Sequence, residues 1–273
     1  MIPARPAAKV ETPPRLLECL AEIRERVAAA RRLLVLLDYD GTLATIAPKP
    51  ELARLEPGMR GALLALSRRR DVRLAIISGR SLEDIRGRVG LPELIYAGCH
   101  GLQISGPRAG FVEPKALGRR PALKRLASQL AAALKHAGGV EVEDKGLAVA
   151  VHFRRAAAAA EREATIAIGS LMARAGEGFR LGGGKKIWEI LPDVDWDKGR
   201  AARWILDHAG GEAALPVCIG DDLTDEDAFA ALPEGITVRV GGRSPTLARY
   251  SLAGPAEVET FLGWLGQTQP CSE

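Results

Sequence analysis

Aromatic residues are scarce in this chain of 273 residues: three Tyr, four Trp and five Phe make up 4% of it. Sequence-tolerant nucleic-acid binding relies on aromatic platforms among clustered Lys and Arg. No such cluster occurs, and 38 basic against 34 acidic residues leave a mild formal net charge of +4. Nucleic acid is therefore excluded as the expected partner. Cysteine is sparse too: Cys19, Cys99, Cys218 and Cys271 stand alone, with no C-x-x-C spacing. That argues against a disulfide framework or zinc site and favours a reducing compartment. No apolar run approaches the roughly 20 residues that span a bilayer. The N-terminal stretch MIPARPAAKVETPPRL has no hydrophobic segment of the kind a secretory signal carries. The expectation is a soluble, cytoplasmic protein with no membrane partner. What is present is ordinary for a globular protein: 47% hydrophobic and 26% charged residues, which rules out disorder and collagen-like repetition. The length suits two domains.

Residues 1–14 hold four prolines and read as a flexible lead-in. Apolar residues at Leu16, Leu20, Ile23 and Val27 predict an amphipathic helix over 15–32. The run Leu33–Leu37 then ends abruptly in Asp38-Tyr39-Asp40-Gly41-Thr42, and a strand apolar on both faces belongs inside a parallel sheet. The same grammar returns: a helix over 57–70, a strand over 72–77 ending at Ser78-Gly79-Arg80, a helix over 81–89, and a strand near 94–97. Further on come a helix over 199–209 and a strand over 217–219 ending at Gly220-Asp221-Asp222. Such alternation predicts an α/β fold, a doubly wound parallel-sheet (Rossmann-like) core. The middle differs. Residues 140–153 alternate as a hairpin about Asp144-Lys145-Gly146, and a second pair lies around Gly182-Gly183-Gly184, read as a turn. Helices over 121–136 and 156–175 intervene. The expectation is a core of 15–110 and 193–273 with an inserted α+β cap domain over 111–192. Arg68-Arg69-Arg70 reads as a solvated helix end.

In an open α/β sheet, ligands bind beyond the carboxyl ends of the strands. Here three strands end in Asp38/Asp40, Ser78 and Asp221/Asp222. Asp and Gly commonly serve only as strand-to-helix turns, which explains one such ending but not three. Converging carboxylates need a cation among them, and all-oxygen ligation suits Mg²⁺.

At these residues the chain resembles a known family. Asp38-Tyr39-Asp40-Gly41-Thr42-Leu43 matches the D-x-D-G-T-L signature of haloacid dehalogenase-type phosphatases. Ser78-Gly79-Arg80, Lys198 and Gly220-Asp221-Asp222-x-Thr224-Asp225-Glu226 match the other motifs of that superfamily. Ala97-Gly98-Cys99-His100-Gly101, Glu143-Asp144-Lys145-Gly146, His152-Phe153-Arg154 and Asp197-Lys198-Gly199 are similar to trehalose-6-phosphate phosphatases in particular. The resemblance runs from Leu33 to Phe229, with one departure: Gln103 stands where the family usually has Glu. It implies Mg²⁺-dependent hydrolysis of trehalose 6-phosphate to trehalose and phosphate, with a small-molecule sugar phosphate as partner and functional coupling to a trehalose-6-phosphate synthase.

Residue chemistry and resemblance agree on roles. Asp38 is the expected nucleophile, because a carboxylate is already deprotonated and makes a labile acyl phosphate. Asp40 is the expected acid and base, with a pKa raised by crowding from Asp38 and Asp221. The resemblance implies metal binding by the Asp38 and Asp221 side chains and the Asp40 carbonyl. Ser78, ahead of a helix start, can donate to phosphate or cap the helix. Lys198 is a compact charge for the phosphoryl group. Asp222 and Asp225 lie behind them, able to hold Lys198 or a metal-bound water, or to cap the next helix. Gly79, Arg80 and, at the mouth, His100 are placed with the substrate. The resemblance further implies that Glu143, Lys145, Arg154, Lys185 and Glu189 read the disaccharide. Competing readings are another sugar-phosphate phosphatase, a phosphosugar mutase, or a catalytically silent regulatory domain of a sugar-synthesis complex.

Overall fold

The computed structural model describes residues 10, 12–47, 50–184, 186–211, 213–242 and 245–268. The first elements in chain order are α1 (Leu20–Ala29), β1 (Arg32–Leu37), α2 (Pro57–Ser67), β2 (Val72–Ile77) and α3 (Leu82–Val89). After β3 (Ile95–Gly98), β4 (Gln103–Gly106) and β5 (Ala109–Val112) come α4 (Pro114–Ala133), β6 (Glu141–Asp144) and β7 (Val149–His152). Then follow α5 (Ala158–Ala175), β8 (Phe179–Gly184), β9 (Ile187–Pro192), α6 (Lys198–Ile205) and β10 (Ala214–Gly220). The chain ends through α7 (Asp225–Ala231), β11 (Ile236–Val240), β12 (Tyr250–Leu252) and α8 (Pro255–Gln267). It divides into two compact units, one from the two ends of the chain up to Phe111 and from Trp196, the other Val112–Asp195.

The first unit is built on an eight-stranded sheet of order β12-β11-β10-β1-β2-β3-β4-β5. From β12 to β3 every pairing is parallel, and β4 returns antiparallel to β3. Central placement explains the β1 sequence. Leu33, Val35 and Leu37 enter one core with Met59 and Leu63 of α2, Ile85 of α3 and Phe261 of α8. Leu34 and Leu36 enter the opposite core with Ala201, Ala202 and Ile205 of α6 and Phe229 of α7. Each of these five strand residues is 0–1% exposed, and burial of each stabilises by roughly 1.5–3 kcal/mol. The chain moves from β1 to β2 on one side and returns with β10 on the other, so β1 and β10 flank the point where strand order reverses. Ligand crevices of open α/β sheets form there.

The second unit is a four-stranded antiparallel sheet, β6-β7-β9-β8. Val149 and Val151 of β7 and Ile190 of β9 pack on Leu123, Leu126 and Leu130 of α4 and Ile168 of α5. Register puts Glu143, Ala150, Glu189 and Gly182 in one row across the sheet, with Glu141, His152 and Ile187 in the next row of the same face. Side chains alternate along a strand, so this row points away from the face that the helices cover.

Several local expectations give way to tertiary contacts. The helix expected over 15–32 is a 3₁₀ turn at Leu16–Glu18 followed by α1. Its start is tied down instead: Arg15 bridges Ser251 beside β12, and its guanidinium pairs with Glu257. Of the lead-in over 1–14, residues 1–9 and 11 lie outside the described residues, whereas Val10 exchanges backbone hydrogen bonds with Thr246 at 2.7 and 3.0 Å. The helix expected from Pro121 begins at Pro114, because Glu113 caps it by accepting from the Ala116 N–H, and Pro121 is carried inside. Gly182-Gly183-Gly184 is not a turn but the end of β8, paired with Glu189, Trp188 and Ile187. Helix α6 stops at Ile205 and continues as a wider π turn over Leu206–Gly210. Arg69 is not a solvated helix end. It donates to the carbonyls of Leu265 and Thr268 and to Asp71, tying α2 to α8.

Candidate active site

Asp38 is the first residue beyond β1, and its N–H still donates to the Ile219 carbonyl of β10 at 3.0 Å. The chain then folds tightly, with the Leu43 and Ala44 N–H groups both on the Tyr39 carbonyl at 2.9 Å. Gly41 makes the turn possible. Its φ is +84°, and a Cβ there would lie 2.1 Å from Asp221 Oδ2. Only a residue without a side chain lets the loop after β1 close against the carboxylate at the end of β10.

Lys198, 3% exposed, opens α6, where the Asp197 side chain caps the helix by accepting from the Arg200 N–H. Its ammonium donates to Asp38 Oδ1 at 2.8 Å and to Asp225 Oδ1 at 2.9 Å. Asp225, the first residue of α7, accepts the Asp222 N–H on its other oxygen. Oxygens of Asp38, Asp221 and Asp225 all lie within 4.8 Å of one another. Three carboxylates thus crowd one ammonium, with Arg239 also favouring the charge of the half-buried Asp221. Burial, then Asp225 and Asp221, push the Asp38 pKa well above the carboxylate range despite Lys198. Burial, then Asp225 and Asp222, push Asp221 up to about 6. Burial works against the Lys198 charge, but Asp225 and Asp38 outweigh it and hold its pKa above that of an ordinary lysine. Without a metal, Asp38 and Asp221 therefore hold protons more tightly than free carboxylates do.

The crowding expected to act on Asp40 falls elsewhere. Asp40 turns its carboxylate to Arg80, whose Nε and Nη2 donate to its two oxygens at 2.6 Å each. The third member of the carboxylate cluster is Asp225. Ser78 is 1% exposed at the end of β2, and its Oγ accepts from the Arg80 N–H at 3.2 Å. It does not cap α3: Ser81 does, accepting from the Asp84 N–H at 3.1 Å. The His100 ring lies over Gly79, and the His100 N–H donates to the Ser78 carbonyl at 2.9 Å. Cys99 and His100 both have positive φ, 50° and 57°, a conformation costly for residues with side chains and common at functional sites. Asp222 is exposed, with its Oδ1 on the Leu223 N–H, so its side chain neither holds Lys198 nor caps α7.

In the second unit, Lys145 Nζ donates to Glu189 Oε1 at 2.5 Å, and both side chains are nearly buried, at 6% and 11% exposure. Glu143 pairs with His152 Nε2 at 2.9 Å. Arg154 is exposed just after β7. Lys185 lies outside the described residues. His152 was not among the expected substrate residues. The register that sets it opposite Glu141 and diagonal to Glu143, on the polar face of the sheet, supplies the missing signal.

The oxygen set at the strand ends fits a hard divalent cation. Asp221 Oδ1 is buried with no hydrogen-bond donor, a costly state that a cation relieves. Among the described residues, no helix is long and apolar enough to cross a membrane.

The trehalose-phosphatase family model matches residues 36–256. A trehalose-phosphate phosphatase of Mycobacterium tuberculosis is 39% identical over 241 residues, 85% of this chain and 61% of that protein. This chain thus spans about three-fifths of that relative's length. The structure of Aspergillus fumigatus trehalose-6-phosphate phosphatase superposes with a TM-score of 0.61 at 27% identity, covering 94% of this chain and 100% of that one. The fold is also that of the C-terminal domain of C. albicans trehalose-6-phosphate phosphatase, with a TM-score of 0.76 at 24% identity over 93% and 98% of the two chains. With most of its length matched by that one family model, the chain belongs to the trehalose-phosphatase family.

Proposed function

We propose that this chain is a Mg²⁺-dependent phosphatase that hydrolyses trehalose 6-phosphate through an aspartyl-phosphate on Asp38. The observation that carries the reading is the buried cluster of Asp38, Asp221 and Asp225 around Lys198, set where the strand order reverses. Lys198 occupies one Asp38 oxygen and leaves the other to attack phosphorus. As that O–P bond forms, the bond from phosphorus to the sugar oxygen breaks, and protonated Asp40 gives its proton to the departing oxygen. In the second half, Asp40 as carboxylate takes a proton from water. The resulting hydroxide attacks phosphorus, and the Asp38 acyl-phosphate bond breaks to restore the carboxylate. Ser78 and Lys198 supply donors to the equatorial oxygens. Asp38, Asp221 and the Asp40 carbonyl would hold Mg²⁺, which neutralises the phosphoryl group and the carboxylates together.

The substrate assignment rests on family membership, on the names borne by the relatives and on the polar sheet face of the second unit. The core motifs meet only the phosphoryl group, so the disaccharide needs its own readers. Buried polar groups that pair with substrate hydroxyls discriminate strongly, because a smaller substrate leaves them unsatisfied. Lys145→Ala and Glu189→Ala are each expected to lower kcat/KM on trehalose 6-phosphate by roughly 10²-fold or more while sparing a small aryl phosphate. Parallel assays on the two substrates check this, and equal losses on both would assign the pair to folding. Among the described residues no disulfide joins Cys19, Cys99 or Cys218, in keeping with a cytoplasmic enzyme.

Metal binding carries a pH signature. The folded-state pKa of Asp221, about 6, stands above its unfolded value. Its contribution to stability is therefore full below the unfolded pKa and lost as pH rises through about 6. Mg²⁺ binds the ionised carboxylate and offsets that loss. Thermal melts should show a Mg²⁺-induced rise that is large at about pH 8 and small at about pH 5. A shift independent of pH would argue against these ligands.

A further inference from the structure

The contacts of Arg80 extend well past Asp40. Its Nε and Nη2 grip the Asp40 carboxylate, and its Nη1 donates to Asp84 Oδ2 at 2.8 Å. Asp84 stands in the first turn of α3 and also accepts from Arg88 Nε at 2.7 Å. Arg88 is fixed in turn by the carbonyls of Ala53 and Glu51, at 3.0 and 3.3 Å. The Ala53 carbonyl also accepts the Tyr39 hydroxyl, and the Tyr39 ring lies 5.4 Å from the Arg80 guanidinium. The contacts thus close into a ring that starts and ends in the loop carrying Asp40. The arginine side chains are largely buried, Arg80 10% and Arg88 17% exposed, while Asp40 and Asp84 keep 40% and 32% exposure at the solvent side of the ring.

From this geometry we infer that Asp84 is a positioning residue for the acid–base carboxylate of Asp40, acting through Arg80. The inference rests on the proposed roles of Asp38 and Asp40. A guanidinium is a rigid planar fork, so fixing one edge on Asp84 fixes the direction in which the other edge holds its partner. Asp40 must stand at the departing oxygen to give it a proton, and a displacement of about 1 Å in such a group can cost roughly 10²-fold in rate. An acid in the first turn of a helix, four residues ahead of an arginine, is also a common stabilising pair, and that is the alternative to be separated.

The separating property is the leaving group. A nitrophenolate departs without a proton, whereas a phenolate or sugar alkoxide benefits from one. Aryl phosphates of graded leaving-group acidity are small, so they report on the core without the disaccharide readers. For Asp84→Asn, kcat/KM on dinitrophenyl phosphate should stay within about threefold of wild type, while phenyl phosphate falls roughly 10–100-fold, steepening the dependence on leaving group. The Mg²⁺ concentration for half-maximal activity should not move. Asp84→Glu, which keeps a carboxylate able to meet both arginines, should recover the shallow dependence. Equal losses along the whole series, or no loss at all in a folded Asp84→Asn protein, would overturn the inference. A wild-type enzyme indifferent to the disaccharide would sink the substrate assignment, and the aryl-phosphate comparison would still decide the role of Asp84.

Discussion

Asp38→Asn is expected to lower turnover by at least roughly 10⁴-fold without loss of the fold. The amide has nearly the shape of the carboxylate, so the backbone bond to Ile219 and the packing at the end of β1 are undisturbed. What disappears is the nucleophile, since a carboxamide oxygen forms no acyl phosphate under these conditions. The same change removes one of the three crowded carboxylate charges of Asp38, Asp221 and Asp225, and Asp225 still pairs with Lys198. Burial already pushes the Asp38 pKa up, a sign that its charge is held at a cost. The metal-free variant should therefore melt at or above the wild-type temperature. Steady-state phosphate release and thermal melts without metal check both halves. Activity within a few-fold of wild type would remove Asp38 from the chemistry.

Lys198→Met should have the opposite effect on stability. The thioether fills much of the same volume but leaves Asp38 and Asp225 facing one another with no ammonium between them. Removing one partner of a buried pair typically costs about 3–5 kcal/mol. The metal-free variant should melt well below wild type, and most of the loss should return at low pH, where the carboxylates take up protons. Turnover should drop by at least roughly 10²–10³-fold even at saturating Mg²⁺, because a donor to the developing charge is gone. Urea titrations at two pH values, with assays at saturating metal, measure these effects. A stable variant with near-normal turnover would make Lys198 a helix-start residue and no more.

These expectations draw on features that differ in how plainly the sequence displays them. The strand ends of β1, β2 and β10 are legible because each is an unbroken apolar run stopped by Asp or Ser, the pattern of a strand buried on both faces. Edge elements are not. Strand β12 is three residues long, and α8 carries Gly263 and Gly266 within its apolar periodicity. The first helix starts later than its periodicity predicts, because periodicity cannot register the pull of Ser251 and Glu257, more than 230 residues away. Asp38, Lys198 and Asp221 could be named from strand ends and motifs. The partner of Asp40 could not, because Arg80 reaches it only when the sheet sets β1 beside β2. Asp225 does hold Lys198, one of the roles its motif allows, but its closeness to Asp221 is not legible in the sequence, because it depends on how α7 turns back over β10.

The most direct measurement is inorganic phosphate released from trehalose 6-phosphate and from glucose 6-phosphate, each with Mg²⁺ and with the metal chelated. The account predicts multiple-turnover release from the disaccharide phosphate with Mg²⁺, a far lower rate from the monosaccharide phosphate, and essentially none from either after chelation. Equal rates on the two sugars would contradict the substrate assignment. Undiminished release without metal would contradict the role given to Asp38, Asp221 and the cation they are built to hold.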